Sequence, residues 1–371
     1  MLRPIRRGIL HLQRSSGVFR LVADSDWRRN RLLILCYHGI SRSDEHVWRP
    51  TLYMQPGVLR QRLEILKQGR YNVLPLGEGL QLLRAGNLPS RSVAITFDDG
   101  GFDFYSAAFP VIRDFGFPVT VYQTTYYGDK SLPIFNLVFS YLLWVRRGTV
   151  VTGGKELGLH DLLDLTTESS RAEIVRTLVL NAEANNLSAV QKNDFAAKLA
   201  RFLSISYDEI VSSRSFQVMT PSERTELATQ GVDFQLHTHR HRTPVREDLF
   251  RKEIQDNRRA LGQLGAGAIH FCYPSGVYRP EFMDWLQKEN VVSATTCETG
   301  LASARSNPFL LPRLVDTSAR SAVEFEAWIS GLAALFPARR KGPRNPPAAA
   351  GRVSRVEESS ESAMVNGSRE D

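Results

Sequence analysis

Three short stretches of this 371-residue sequence concentrate side chains suited to hydrolytic chemistry. The first is Thr96-Phe97-Asp98-Asp99-Gly100, closing the apolar run VAITF. Two adjacent acids at the carboxyl end of a strand point in different directions, and the glycine permits a sharp turn. One acid can then bind a metal while the other stays free as a base. The bland alternative is an ordinary turn rich in Asp and Gly. The second stretch is Leu236-His237-Thr238-His239-Arg240-His241. Neutral imidazole is the commonest protein metal ligand, and two histidines four apart converge on one ion if the backbone coils by a turn. A chance histidine cluster on a solvated turn is the competing reading. Combined, an aspartate and two histidines make a three-ligand set with an open position for water, whereas a closed structural zinc site wants a fourth ligand, usually cysteine.

The third stretch is Cys36-Tyr37-His38-Gly39, again ending an apolar run. A lone histidine after a strand is more often structural than catalytic, but this strand ends as the other two do, which favours a catalytic role. Two weaker signals accompany these. Tyr273-Pro274-Ser275-Gly276 is a turn that could present a backbone N–H or an aromatic wall, and Arg313 in LPRLVD could orient an acidic base or make a surface ion pair.

Bringing these groups together requires a fold that gathers strand ends. Residues 32–36 (LLILC), 93–97 (VAITF), 119–123 (VTVYQ), 232–236 (VDFQL), 269–272 (IHFC) and 291–295 (VVSAT) read as buried strands. Helical patterns lie between them at 58–67, 246–264, 280–290 and 322–336. Alternation of strand and helix predicts a parallel sheet, open or closed into a barrel, and a parallel barrel collects the carboxyl ends of its strands on one face. Residues 131–221 break the rhythm. They read as a strand-poor helical insertion between a first barrel part (31–130) and a second (222–336), with Tyr126, Tyr127 and Trp144 either sugar-stacking or core aromatics. Residues 337–371, rich in Pro, Ala, Ser and charge, read as a disordered tail.

The formal charge of +8 suggests nucleic acid or an anionic surface until it is located. Residues 1–31 carry eight arginines against two aspartates, and the chain from Arg339 carries seven basic against five acidic residues, so the stretch between is neutral. That argues against nucleic acid as a partner. Residues 1–30 read as a basic extension, solvated or lying on a membrane as an amphipathic segment. Its apolar residues are too broken for a secretory signal, and the longest apolar run, FNLVFSYLLWV, is too short to cross a bilayer. With three scattered cysteines, Cys36, Cys272 and Cys297, the expected location is cytoplasmic, at most at the inner face of the membrane.

TFDDG at 96–100, His-Thr-x-x-His at 237–241 and Tyr-Pro-x-Gly at 273–276 together resemble the polysaccharide deacetylase family, which shares the nodulation-type chitooligosaccharide deacetylase (NodB homology) domain. The resemblance covers residues 31–126 and 231–336. It implies an α/β fold, a distorted TIM-like (β/α) barrel, and removal of N-acetyl groups from a glycan or glycan precursor. It further implies Asp98 as catalytic base and Asp99, His237 and His241 as ligands of a divalent metal, usually zinc, with Co2+, Ni2+ or Fe2+ as alternatives. The Tyr273 backbone N–H would stabilise the oxyanion, and His239 has no place in the pattern. The sequence departs from the common pattern in having no histidine after His270 and in lacking the arginine commonly found in the motif around the Tyr-Pro turn. In this it resembles the exopolysaccharide deacetylase branch with an early Tyr-His motif, which implies His38 as general acid and Arg313 as the arginine beside Asp98. Three other readings compete: a hydrolase of a non-sugar amide or ester, a catalytically silent carbohydrate-binding protein, and a nucleic-acid binder.

Overall fold

The computed structural model describes residues 2–264 and 267–336. The segment expected to be a disordered tail lies outside them. The described chain divides into two units. One holds the chain through Tyr126, Met219–Thr243 and the chain from Phe250, and the other holds Tyr127–Val218 and Pro244–Leu249.

The first unit is built on eight strands: β1 (Leu33–Tyr37), β2 (Asn72–Val73), β3 (Ser92–Phe97), β4 (Thr120–Gln123), β5 (Asp233–Leu236), β6 (His270–Cys272), β7 (Ser293–Thr295) and β8 (Leu314–Val315). They pair in the order β7-β6-β5-β4-β3-β1-β8, with β2 beside the start of β3. Every pairing is parallel. Thr295 of β7 also bridges Leu311, just ahead of β8, and the Leu311 N–H donates to the Ala294 carbonyl at 2.9 Å. The segment that ends beside β1 therefore starts beside β7, and the curled sheet meets itself as a distorted (β/α) barrel, as expected.

β1 and β3 are buried along their whole length, which is why they read as unbroken apolar runs rather than alternating ones. Alternation persists in what each face touches. Leu33, Leu35, Val93, Ile95 and Phe97 point outwards to helix residues such as Leu59, Leu63, Phe250 and Phe325. Ile34, Ala94, Tyr122 and Cys272 belong to a separate inner cluster with Leu76, Leu80 and Leu83 of the helix Leu76–Ala85. By the same two-residue period Cys36, Thr96 and Asp98 continue the inner face towards the strands' carboxyl ends.

The N-terminal segment differs from the solvated arm its arginines suggested. It forms helices Leu2–Ser15, Val18–Ala23 and Asp26–Arg29. Leu10 and Phe19 pack with Val323, Ala327 and Leu332. Arg28 is fully buried and donates to the carbonyls of Ile329 (3.1 Å) and Ser92 (3.0 Å), so its charge is absorbed by backbone rather than water.

The second unit contains helices Phe135–Val145, Glu168–Ala184, Ala189–Phe202 and Tyr207–Ser212. Ser188 and Gln191 form a capping box that fixes the start of the third. The unit is not strand-free: Val150–Val151 pairs antiparallel with Leu163–Asp164, each strand only two residues long and so without a periodicity to read. Among the described residues no helix is long and apolar enough to cross a membrane.

Candidate active site

The carboxyl ends of β1, β3, β5 and β6 and the residue preceding β8 converge on one constellation. Asp98 follows β3 on its inner face and is 3% exposed. Arg313, also buried, grips it with both arms of its fork: Nη1 donates to Oδ1 and Nη2 to Oδ2, each at 2.7 Å. The Arg313 Nε donates to the Thr296 carbonyl at 2.9 Å, which fixes the plane of the guanidinium. Burial works to raise the Asp98 pKa, but the Arg313 charge and its hydrogen bonds, with His38 and His237 behind them, hold the carboxyl well below the usual carboxylate range. His38, at the end of β1, places Nε2 3.7 Å from Asp98 Oδ2.

Asp99 turns the other way. Its φ is +70° and that of Gly100 is +69°, a left-handed pair that swings the second carboxylate away from the first. A Cβ at Gly100 would strike the Gln123 side chain, so glycine is required there by space as well as by φ. Asp99 Oδ1 then lies 3.1 Å from His237 Nε2 and 3.1 Å from His241 Nε2. The chain between the histidines coils with φ of +64° at Thr238 and +55° at His241. A β-branched residue there is a strained position, and its occurrence at this loop marks backbone bent to aim side chains.

The donor chemistry of these three residues fits a divalent cation. His237 Nδ1 donates to the Cys272 carbonyl at 2.8 Å, which turns Nε2 towards the Asp99 carboxylate, the orientation of a metal-ligating imidazole. A positive charge at this point, a proton or a metal ion, is what lets the two ring nitrogens approach the carboxylate oxygen to 3.1 Å. Ligands about 2.0–2.2 Å from a tetrahedral ion stand roughly 3.3–3.6 Å apart, close to the separations found. Burial works to lower the His241 pKa and to raise that of Asp99, yet the Asp99 charge raises the first and the two histidines lower the second, so the site favours positive charge, which a proton supplies where no ion is bound. His241 is solvent-exposed, so the cradle is open on one side.

Several residues needed for this geometry do not announce themselves in the sequence. Asn257, fully buried on the helix Glu247–Leu261, accepts from the His237 N–H at 3.0 Å and donates to the Gln123 carbonyl at 2.9 Å and to Thr125 Oγ1 at 3.1 Å. One turn earlier, Glu253 accepts from the Arg240 N–H at 2.8 Å and from Arg242 Nε at 2.8 Å, tying down the histidine loop. The signal that could have found them is polar residues on the apolar face that Phe250, Ile254 and Leu261 define. His239 belongs to the same scaffold: its Nδ1 is 2.7 Å from Thr125 Oγ1, and its carbonyl accepts from the Thr125 and Tyr126 N–H groups.

One expected role is not met. The Tyr273 N–H donates to the Thr295 carbonyl at 3.2 Å as part of the β6–β7 ladder, and its ring packs in the outer core, so that amide is not free for an oxyanion. Of the expected stacking aromatics, Tyr126 stands edge-on to His239 beneath Arg240, and Trp144 stacks on Tyr141 under Arg147.

An ion-paired carboxylate beside a carboxylate–bis-histidine cradle, at the carboxyl ends of a curled parallel sheet, defines a barrel hydrolase class. Residues 85–294 match the polysaccharide deacetylase family, and the chain belongs to it. A 99-residue stretch is 27% identical to the poly-beta-1,6-N-acetyl-D-glucosamine N-deacetylase of Escherichia coli K12, covering 26% of this chain and 14% of that protein. Among solved structures, the Streptococcus pyogenes deacetylase PplD in complex with acetate is similar at 21% identity and a TM-score of 0.52, covering 83% of this chain and 99% of that one. IcaB from Ammonifex degensii is similar at 17% identity and a TM-score of 0.51, covering 81% and 97%. At these identities the structural likeness establishes the fold.

Proposed function

We propose that this chain is a metal-dependent N-deacetylase acting on an N-acetylated glycan or glycan precursor, with Asp98 as base, Asp99, His237 and His241 as metal ligands and zinc as the ion. The observation that carries this is the pairing of two carboxylates with opposite duties: both oxygens of Asp98 are gripped by Arg313, while Asp99 lies against the two histidines. Two histidines, one carboxylate and an open side suit zinc over harder ions that prefer all-oxygen shells. When bound, the ion would acidify a water and polarise the acetamide carbonyl.

The residues of the chain supply the proton traffic. Asp98 accepts a proton from the attacking water and becomes neutral; Arg313 aims the carboxylate before that transfer and favours return to the ionised form as the proton passes on, through His38 or to solvent. The C–N bond then breaks with proton delivery to the leaving amine, giving acetate and the free amino sugar. His38, 3.7 Å from Asp98 and partly exposed, is the group placed to deliver that proton. Asp98→Asn should lower the rate of amine release from an N-acetylglucosamine oligomer by about 100-fold or more while the metal content stays unchanged. Wild-type turnover in that variant would remove Asp98 from the mechanism. His38→Gln should lose activity on amides more than on activated acetate esters, whose leaving groups need no proton.

Two further parts of the reading concern location. The helix Leu2–Ser15 has no acid in its first turn and ends on Arg14, and it leaves Ile9 and Leu12 53% and 70% exposed, with Leu21 following at 72%. Apolar residues beside arginines suit peripheral attachment to an anionic membrane surface. Cys36 and Cys272 are free thiols, which suits the reducing cytoplasmic side of that membrane.

A further inference from the structure

Three cysteines spread over more than 260 positions of sequence are drawn to the same neighbourhood, two of them onto the catalytic carboxylate. Cys36 of β1 lies with Sγ 3.5 Å from Asp98 Oδ2, and Cys272 of β6 with Sγ 3.4 Å from the same oxygen. Both are wholly buried. Arg313 Nη2, which donates to Asp98 Oδ2, also lies 3.0 Å from the Cys272 sulfur. The other acceptors within reach of each thiol are weaker: the next residue's carbonyl lies at 3.9 Å for Cys36 and 3.8 Å for Cys272, and His38 Nδ1 lies 4.0 Å from Cys36. Both sulfurs are buried against a carboxylate, an apolar and anionic setting in which a thiol keeps its hydrogen.

We propose that Cys36 and Cys272 are positioning residues for the deacetylation reaction, each donating an S–H hydrogen bond to Asp98 Oδ2 so that the base is held from β1 and β6 as well as by Arg313. This rests on the assignment of Asp98 as base. A carboxylate gripped only by a guanidinium can still rock about the axis of the fork. Donors from two further strands, at the inner-face positions that precede His38 and Tyr273 by two and one residues, remove that freedom. A thiol is a weak donor. It restrains the oxygen while drawing off little of the electron density that a base needs to accept a proton. Arg313 in turn donates to the Cys272 sulfur, so the thiol, the carboxylate and the guanidinium close a ring of contacts around Oδ2.

Substitution by serine and by valine separates this role from packing. Serine keeps a donor and loses apolar bulk, and valine keeps bulk and loses the donor. In Cys272→Val and Cys36→Val, kcat should fall by about tenfold or more with KM held, as expected of a displaced catalytic group. Cys272→Ser and Cys36→Ser should retain the larger share of kcat. Equal rates in the valine and serine forms, or a better valine form, would overturn the proposal.

A measurement on the folded protein that requires no turnover stands beside these variants. In a Cys297→Ser background, the infrared S–H stretching bands of the two remaining thiols should lie below the frequency of an unbonded thiol and move up in Asp98→Asn. Bands at the unbonded frequency, unmoved by that substitution, would overturn the proposal even if every cysteine variant were too unstable to assay. An inactive wild type with shifted S–H bands would instead count against the deacetylase reading and leave the two hydrogen bonds in place.

Discussion

Asp98 is a charge taken out of water, and Arg313 makes that tolerable. Arg313→Met leaves the carboxylate buried without its partner and should cost about 3–5 kcal/mol of stability, measured by urea unfolding at neutral pH. Arg313→Lys keeps the charge but not the two parallel hydrogen bonds, and should unfold later than the methionine form while losing about tenfold or more in kcat. His270 gives a separate test at this scale, in stability against pH. Burial lowers its pKa from 6.5, and its Nδ1 lies 2.8 Å from Ser293 Oγ, so the folded state holds the ring neutral. A folded pKa below the unfolded one means that this contribution is whole above pH 6.5 and is lost as pH falls through the folded value. His270→Gln should therefore flatten the decline in Tm between neutral pH and pH 5, and an unchanged slope would contradict the neutral buried ring.

The helix Glu247–Leu261 and the strand ends behave as one device, because Asn257 joins the His237 backbone to Gln123 and Thr125. Asn257→Ala removes the acceptor of the buried His237 N–H and a donor to the Gln123 carbonyl and to Thr125 Oγ1. It should cost at least about 1–3 kcal/mol and weaken metal binding by about 10–100-fold, read by competition with a chelating dye. The N-terminal helix makes an independent prediction: Ile9→Gln with Leu12→Gln should abolish co-sedimentation with vesicles containing anionic lipid while leaving amine release unchanged. Equal sedimentation with neutral vesicles would remove the electrostatic part of that reading.

The strands carrying the motifs were legible in the sequence because a parallel strand buried on both faces reads as an unbroken apolar run. β2 and β8, two residues each, left no such trace, nor did the packing of the first thirty residues, since a run of arginines does not reveal that Arg28 ends among buried carbonyls. The expected free amide of Tyr273 failed for a related reason: which carbonyl receives an N–H depends on the register of β6 against β7, set by contacts more than twenty residues apart.

For the molecule as a whole, a metal held by Asp99, His237 and His241, as proposed, would tie the end of β3 to the histidine loop and so add to stability. Removing the metal with a chelator should lower Tm, and a stoichiometric amount of zinc should restore it, with the gain growing as the free ion rises above its Kd. Asp99→Asn, which removes the charge facing the two histidines, should reduce that dependence on zinc. An unchanged Tm across chelation would contradict the three-residue site. The neutral body between the charged ends predicts no salt-dependent retention on nucleic acid by a variant lacking residues 337–371 and with Arg3, Arg6 and Arg14 neutralised.

The closure of the sheet also sets the order of events in biosynthesis. Asp98 and Arg313 are 215 residues apart, and the stretch carrying Arg313 is the one that bridges β7 before it pairs with β1. A nascent chain emerging from the ribosome presents the base, the histidines and the asparagine scaffold long before the guanidinium arrives. Until the last strand docks, Asp98 lacks the charge that keeps it ionised away from water. The ion pair around Asp98 is thus completed late and in a single step, so a partly synthesised chain would lack the activity proposed for the whole one.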